Sequence, residues 1–236
     1  MDARATLTAG RAVLTDRLTI GLLVLTAVSG TVDAVSFLGL GHVFTANMTG
    51  NVVFLAFAAA GAPNISIAHS ITALVTFLGG AVVGGYFCRK VPGALRLRWF
   101  RVSGVCEAAL LFAAAIAVIA LDGDATALQG RQYAVIVLTA IAMGFRNATV
   151  RKLAVPDLTT TTVVTMALSG LAADFAQVGG LNPSIWRRVM LIVSLFVGAA
   201  IGALLLRFGL AVPLVAAAAC VLATTGYADT STAKPM

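Results

Sequence analysis

Residues Val28–Phe54, VSGTVDAVSFLGLGHVFTANMTGNVVF, decide how this chain is read. They lie in an apolar region from Leu18 to Cys88 in which Asp33 is the sole formally charged residue. A lone carboxylate in hydrocarbon costs about 2.5–3.5 kcal/mol on insertion scales, so it faces a protein interior, a partner or water. Gly30, Gly39, Gly41 and Gly50 surround it, followed by Thr45, Asn47, Thr49 and Asn51. Read as a helix, Thr45 and Thr49 are four residues apart, as are Asn47 and Asn51, which makes two adjacent polar ridges. A purely lipid-facing span would not carry them. The stretch therefore predicts a membrane protein with a polar interior.

Composition agrees with that class. Hydrophobic residues make up 60% and charged residues 11% of the chain, against about 45–50% and 25% in soluble domains. Apolar runs recur at about the 20-residue length of a transmembrane helix, which predicts an all-α polytopic membrane protein. The formal charge is +7. Its Lys and Arg residues cluster between apolar runs, with no basic helix face or aromatic-interleaved patch, so the charge reads as positive-inside topology and not as nucleic-acid binding. Cys88, Cys106 and Cys220 show no CxxC spacing and read as small buried hydrophobes, with neither disulfide nor metal implied.

The expected organisation is a polar lead over residues 1–17, one membrane domain over 18–226 and a polar tail over 227–236. Arg4, Arg11 and Arg17 before an apolar run imitate a secretory signal, but the run continues to Leu40 and further spans follow, so the first helix reads as uncleaved. About eight spans are expected, with six or seven as the alternatives: Leu18–Leu40, Val43–Gly61, His69–Cys88, Val102–Leu121, Gln132–Leu153, Leu158–Val178, Val189–Leu206 and Leu210–Gly226.

The spans show an internal repeat. Ser29-Gly30-Thr31-Val32-Asp33-Ala34 resembles Met143-Gly144-Phe145-Arg146-Asn147-Ala148 at an offset of 114; Thr45 and Thr49 align with Thr161 and Thr165 at 116. Gly80-x-x-x-Gly84 aligns with Gly198-x-x-x-Gly202 at 118. The two related halves are 18–121 and 132–226. Duplicated halves with a site between them are a common transporter plan. Four spans in each would orient the halves alike, whereas one span fewer would invert them. The segment Arg89–Arg101 is the densest in positive charge and is expected in the cytoplasm. Eight spans would then leave Arg4, Arg11 and Arg17 outside, against the positive-inside rule, and a dropped span would relieve the conflict.

Asp33 is the first candidate for chemistry, either as a cation- or proton-coupled site or as one half of a structural ion pair. Arg146, mid-span and beside Asn147, is its expected partner. Gly30 and Gly144 permit close helix approach or local unwinding. The small-xxx-small motifs pack helices within the chain or between protomers, so a homo-oligomer is an open alternative. Glu107 is expected to snorkel or to pair with Arg101. Asp174 lies near an interface, and His42 and His69 stand at span ends without metal-ligand spacing.

The motifs Gly30-x-x-Asp33-Ala34, Thr45-x-Asn47-Met48-Thr49-Gly50-Asn51 and Met143–Ala148, with the Thr-rich Asp157–Thr165 stretch, resemble the YoaK-like bacterial membrane proteins, a domain of unknown function. The resemblance spans about Leu18 to Gly226 and implies a multi-pass protein of the bacterial inner membrane. It supplies no substrate.

The residues themselves favour a secondary transporter or channel-like permease for a small polar solute or ion. Asp33, Asn47, Thr49, Asn51, Arg146, Asn147, Thr161 and Thr165 would line its midplane site. No nucleophile elbow, HExxH, Walker loop or dinucleotide fingerprint occurs, so no enzyme and no cofactor is expected. The alternative is a membrane enzyme or lipid-interacting assembly factor.

Overall fold

The first apolar run folds as one helix, α1 (Arg17–Gly39), in a computed structural model that describes residues 17–90, 96–121, 125–153, 163–176 and 183–229. Residues 1–16 of the polar lead, the tail beyond Asp229 and the Thr161 position lie outside the described residues. After α1 come α2 (Met48–Ala59), α3 (Ile67–Lys90), α4 (Arg96–Ala120), α5 (Ala125–Leu153), α6 (Val163–Ala176), α7 (Pro183–Leu205), a 3-10 turn at Leu206–Phe208 and α8 (Ala211–Asp229). Among the described residues there is no strand, and five helices are long and apolar enough to cross a membrane. This is the all-helical architecture the apolar runs predict.

Helix directions follow from which residues touch. Gly21, at the start of α1, lies against Phe100 at the start of α4 and Thr224 at the end of α8. Ser103 and Glu107 of α4 meet Thr149 and Arg146 of α5 in reversed order, so these two run antiparallel. On α3 and α5 the order is the same: a Cβ on Gly80 would strike the Ile141 carbonyl, and one on Gly84 would lie 2.9 Å from the Phe145 carbonyl. On α1 and α7 the order is also the same, Gly198 meeting Ala27 and Gly202 meeting Thr31. Hence α1, α4 and α7 run one way, and α3, α5 and α8 run the other. The end of α1 and the start of α3 lie on one side, so α2 returns the chain to the side it came from. The end of α5 and the start of α7 lie together on the opposite side, and α6 does the same there.

The reading of residues 43–61 as one crossing helix is therefore corrected. The helix starts only at Met48, and at 12 residues it spans about 18 Å, well short of a hydrocarbon core of about 30 Å. Gly41 and His42, at φ +91° and +59°, turn the chain back after α1.

Close approach explains the glycines. A Cβ on Gly30 would sit 2.7 Å from the Ala199 nitrogen, and one on Gly144 would lie 3.0 Å from the Ala81 nitrogen. Only glycine lets backbones meet like this. The Thr31 hydroxyl adds a 2.9 Å hydrogen bond to the Gly198 carbonyl across the α1–α7 contact. The core gathers around α1, with Leu22, Val28 and Val32 packed among Leu111 of α4, Met143 of α5 and Val221 of α8. Outward faces of α3 and α7 keep Val82, Phe196 and Ile201 exposed, as a lipid-facing surface requires.

Candidate functional site

Two polar assemblies are built along α1. The first is the turn into α2. Asp33 lies six residues before the end of α1, about 9 Å of helix rise. One carboxylate oxygen, Oδ1, accepts backbone N–H bonds from Thr45 (3.2 Å), Ala46 (2.8 Å) and Asn47 (3.3 Å). Charge-assisted bonds of this kind are about twice as strong as neutral ones. They hold the approach to the α2 N-terminus at the depth of Asp33, where the helix dipole also favours an anion.

The two asparagines act on backbone as well. Asn51 is fully buried; its Oδ1 accepts from the Phe44 N–H at 2.9 Å and its Nδ2 donates to the Phe44 carbonyl at 2.5 Å. Asn47 caps α2, its Oδ1 accepting from Gly50 at 3.4 Å. Phe44 stacks on Phe37 and Phe54 with ring centroids 5.1 and 5.5 Å apart, fastening α2 over α1. Thr45 is completely buried, and its hydroxyl has no hydrogen-bond partner.

Two inward-facing ridges, as a continuous helix would make them, do not form. Thr45 and Asn51 are buried while Asn47 and Thr49 are exposed, because residues 45–47 precede the helix. Capping satisfies Asn47 locally, so it needs no interior partner.

The second assembly surrounds Arg146. Its Nη1 donates to Glu107 Oε1 at 2.9 Å and to the Leu25 carbonyl at 2.9 Å, and its Nη2 donates to the Ser29 hydroxyl and lies 2.9 Å from Met143 Sδ. Arg146 is 7% exposed and Glu107 1%, so the pair is buried. Leaving either charge alone there costs several kcal/mol. The expected partner of Arg146, Asp33, is replaced by Glu107: the α1 backbone and Ser29 meet the guanidinium, while Asp33 stands one turn further on, bonded to the α2 approach. Nor does Glu107 snorkel or pair with Arg101. Ser103 and Thr149 share a 2.8 Å hydroxyl bond beside the pair. A small cavity lined by Glu107, Arg146, Phe100, Ser103, Thr149 and Thr225 lies there.

The structure thus groups Asp33, Asn47 and Asn51 at the mouth of α2, and sets Arg146 in the second assembly. Asn147 is half-buried, while Thr49 and Thr165 are exposed. Glu107, Ser103 and Thr149 were absent from the sequence-based set. The available signal was that Glu107 and Arg146 are opposite charges inside two separate apolar spans; the repeat drew the pairing to Asp33 instead. Among the described residues no group of three or more His, Cys, Asp or Glu could hold a metal ion.

A helical bundle with long apolar crossings, a lipid-facing rim and buried polar assemblies is a multi-pass membrane protein. Residues 21–227 match the family described as "Protein of unknown function (DUF1275)", and the chain belongs to it. It is 34% identical over 157 residues to the "UPF0700 transmembrane protein YoaK" of Bacillus subtilis (strain 168), covering 66% of this chain and 66% of that one. No solved structure matches.

Proposed function

We propose that this protein is a secondary transporter or channel-like permease of the bacterial cytoplasmic membrane, carrying a small polar solute or ion through two duplicated halves of inverted orientation. The observation that carries the reading is a pair of matching helix crossings. In α1–α7, Ala27, Gly30 and Thr31 meet Leu195, Gly198, Ala199 and Gly202. In α5–α3, Ile141, Gly144 and Phe145 meet Phe77, Gly80, Ala81 and Gly84. Residues in the first helix of each crossing differ by 114 and those in the second by 118, the offsets of the sequence repeat. The two crossings point in opposite directions. Inverted repeats with a broken, non-crossing helix in each half are a recurrent design for alternating access.

Six crossings with α2 and α6 as re-entrant helices also resolve the charge conflict. Arg17, Arg89, Lys90, Arg96, Arg98, Arg101, Arg151, Lys152, Arg187 and Arg188 all fall near helix ends on one side, while Arg131 and Arg207 fall on the other. That orients the basic side to the cytoplasm and opens α2 to the outside. Asp33, with the Thr45 hydroxyl buried beside it, is the group assigned to a polar solute in this reading.

The test is a thermal-shift screen of the detergent-purified protein against small polar metabolites and monovalent ions. A solute held at about 100 times its Kd should stabilise the protein by about 2.7 kcal/mol, and Asp33→Asn should abolish that shift. A complete panel without a stabilising solute, or a shift indifferent to Asp33→Asn, contradicts the reading.

A further inference from the structure

We propose that Glu107 is the proton-binding group of the transport path, linked to Asp33 by Arg146, with a small cavity on its cytoplasmic side. The inference rests on the transporter reading and adds the coupling ion to it.

The observations place a row of polar groups inside an apolar bundle. Phe100 and Ser103 of α4 and Thr149 of α5 lie between the ion pair and the basic ends of their helices, and Thr225 lies near the end of α8 on that side, so the small cavity they line is on the cytoplasmic side of the ion pair. Arg146 and Glu107 come next. Arg146 also contacts Ser29 on α1, and Asp33 stands four residues beyond Ser29, on the same helix face at a Cβ spacing of about 5–6 Å. Asp33 in turn holds the approach to α2, which opens to the other side. Glu107, Arg146, Ser29 and Asp33 thus follow one another inside the bundle.

The chemistry of the pair selects the ion. Arg146 lies 2.9 Å from the Glu107 oxygen, so a metal cation would meet a positive charge where it needs ligands. A proton needs no coordination shell. Added to the Glu107 carboxylate, it leaves a neutral acid and an unchanged guanidinium, which can then turn past Ser29 to the Asp33 carboxylate. Return of Arg146 to Glu107 re-forms the ion pair and expels the same proton, so charge and protons balance. Arg146 from α5 is the charged group facing Glu107 among the described residues; α1 presents Leu25 and Ser29, and α8 presents Thr225.

Glu107 is the sole glutamate in the chain. Isotopically labelled glutamate therefore reports on it alone, without mutation, in difference infrared spectra of the whole protein in liposomes. The expected result is a labelled carboxylic-acid band that appears on acidification while the protein stays folded, and whose pH profile moves in Asp33→Asn. A label that remains a carboxylate throughout the folded range overturns the proposal, as does a band indifferent to Asp33→Asn, which a purely structural pair would give. A silent label in a protein that the metabolite and ion screen does stabilise removes the proton inference alone; a titrating label in a protein that nothing in that screen stabilises removes the transport reading alone.

Discussion

Removing Arg146 tests the site most severely, because its guanidinium holds Glu107, the Leu25 carbonyl and Ser29 together inside the bundle. Arg146→Gln leaves Glu107 as a buried charge without its partner, and Glu107→Gln does the same to Arg146. Each change should destabilise the protein by about 3–5 kcal/mol. The double change leaves two neutral amides facing one another and should recover much of that loss. The resulting coupling energy should reach about 2–3 kcal/mol, the upper range for residues in direct contact. The same cycle between Arg146 and Asp33 should give below about 1 kcal/mol, since their connection runs through Ser29. Reversible unfolding in mixed micelles, followed by circular dichroism, measures all the variants under one condition. A coupling larger for Asp33 than for Glu107 would refute the assignment and restore the pairing that the sequence repeat suggests.

Further expectations concern packing and the α2 turn. Gly144→Ala or Gly198→Ala places a methyl against a neighbouring backbone and should cost about 1–3 kcal/mol, whereas Gly79→Ala, with open space beside it, should stay within about 0.5 kcal/mol of the parent; the same unfolding assay compares them. Asn51→Ala strands the Phe44 N–H and carbonyl and should lose about 2–4 kcal/mol, two unsatisfied groups at about 1–3 each with partial relief by water. Asn47→Ala removes only a helix cap and should cost about 1 kcal/mol, so hydrogen exchange at the start of α2 should rise far more in the first variant than in the second.

The sequence carries the helical class, the glycine contacts and the order of elements openly, because apolar run length and small-residue spacing are local signals. Gly80, Gly84, Gly198 and Gly202 could be read directly as packing positions for that reason. Thr45–Asn51 was less legible. Its four-residue spacings are real, but a spacing cannot tell a helical ridge from a loop whose asparagines bond to backbone at Phe44 and Gly50. That distinction leaves α2, at 12 residues, too short to count among the crossings. Glu107 escaped for a related reason: partners across α4 and α5 depend on how antiparallel helices face each other, which periodicity within either helix does not contain.

The central claim is that the halves are inverted, with α2 and α6 returning to the sides they start from. In a background where Cys88, Cys106 and Cys220 are replaced by alanine, single cysteines at Ala60, just past α2, and Phe208, the last residue of the α7 span, both exposed, report it directly. Intact cells are treated with a membrane-impermeant thiol reagent. The inverted six-crossing arrangement predicts that both positions label from outside. An eight-crossing arrangement with halves alike places them on opposite sides of the membrane, so labelling of one without the other contradicts the account.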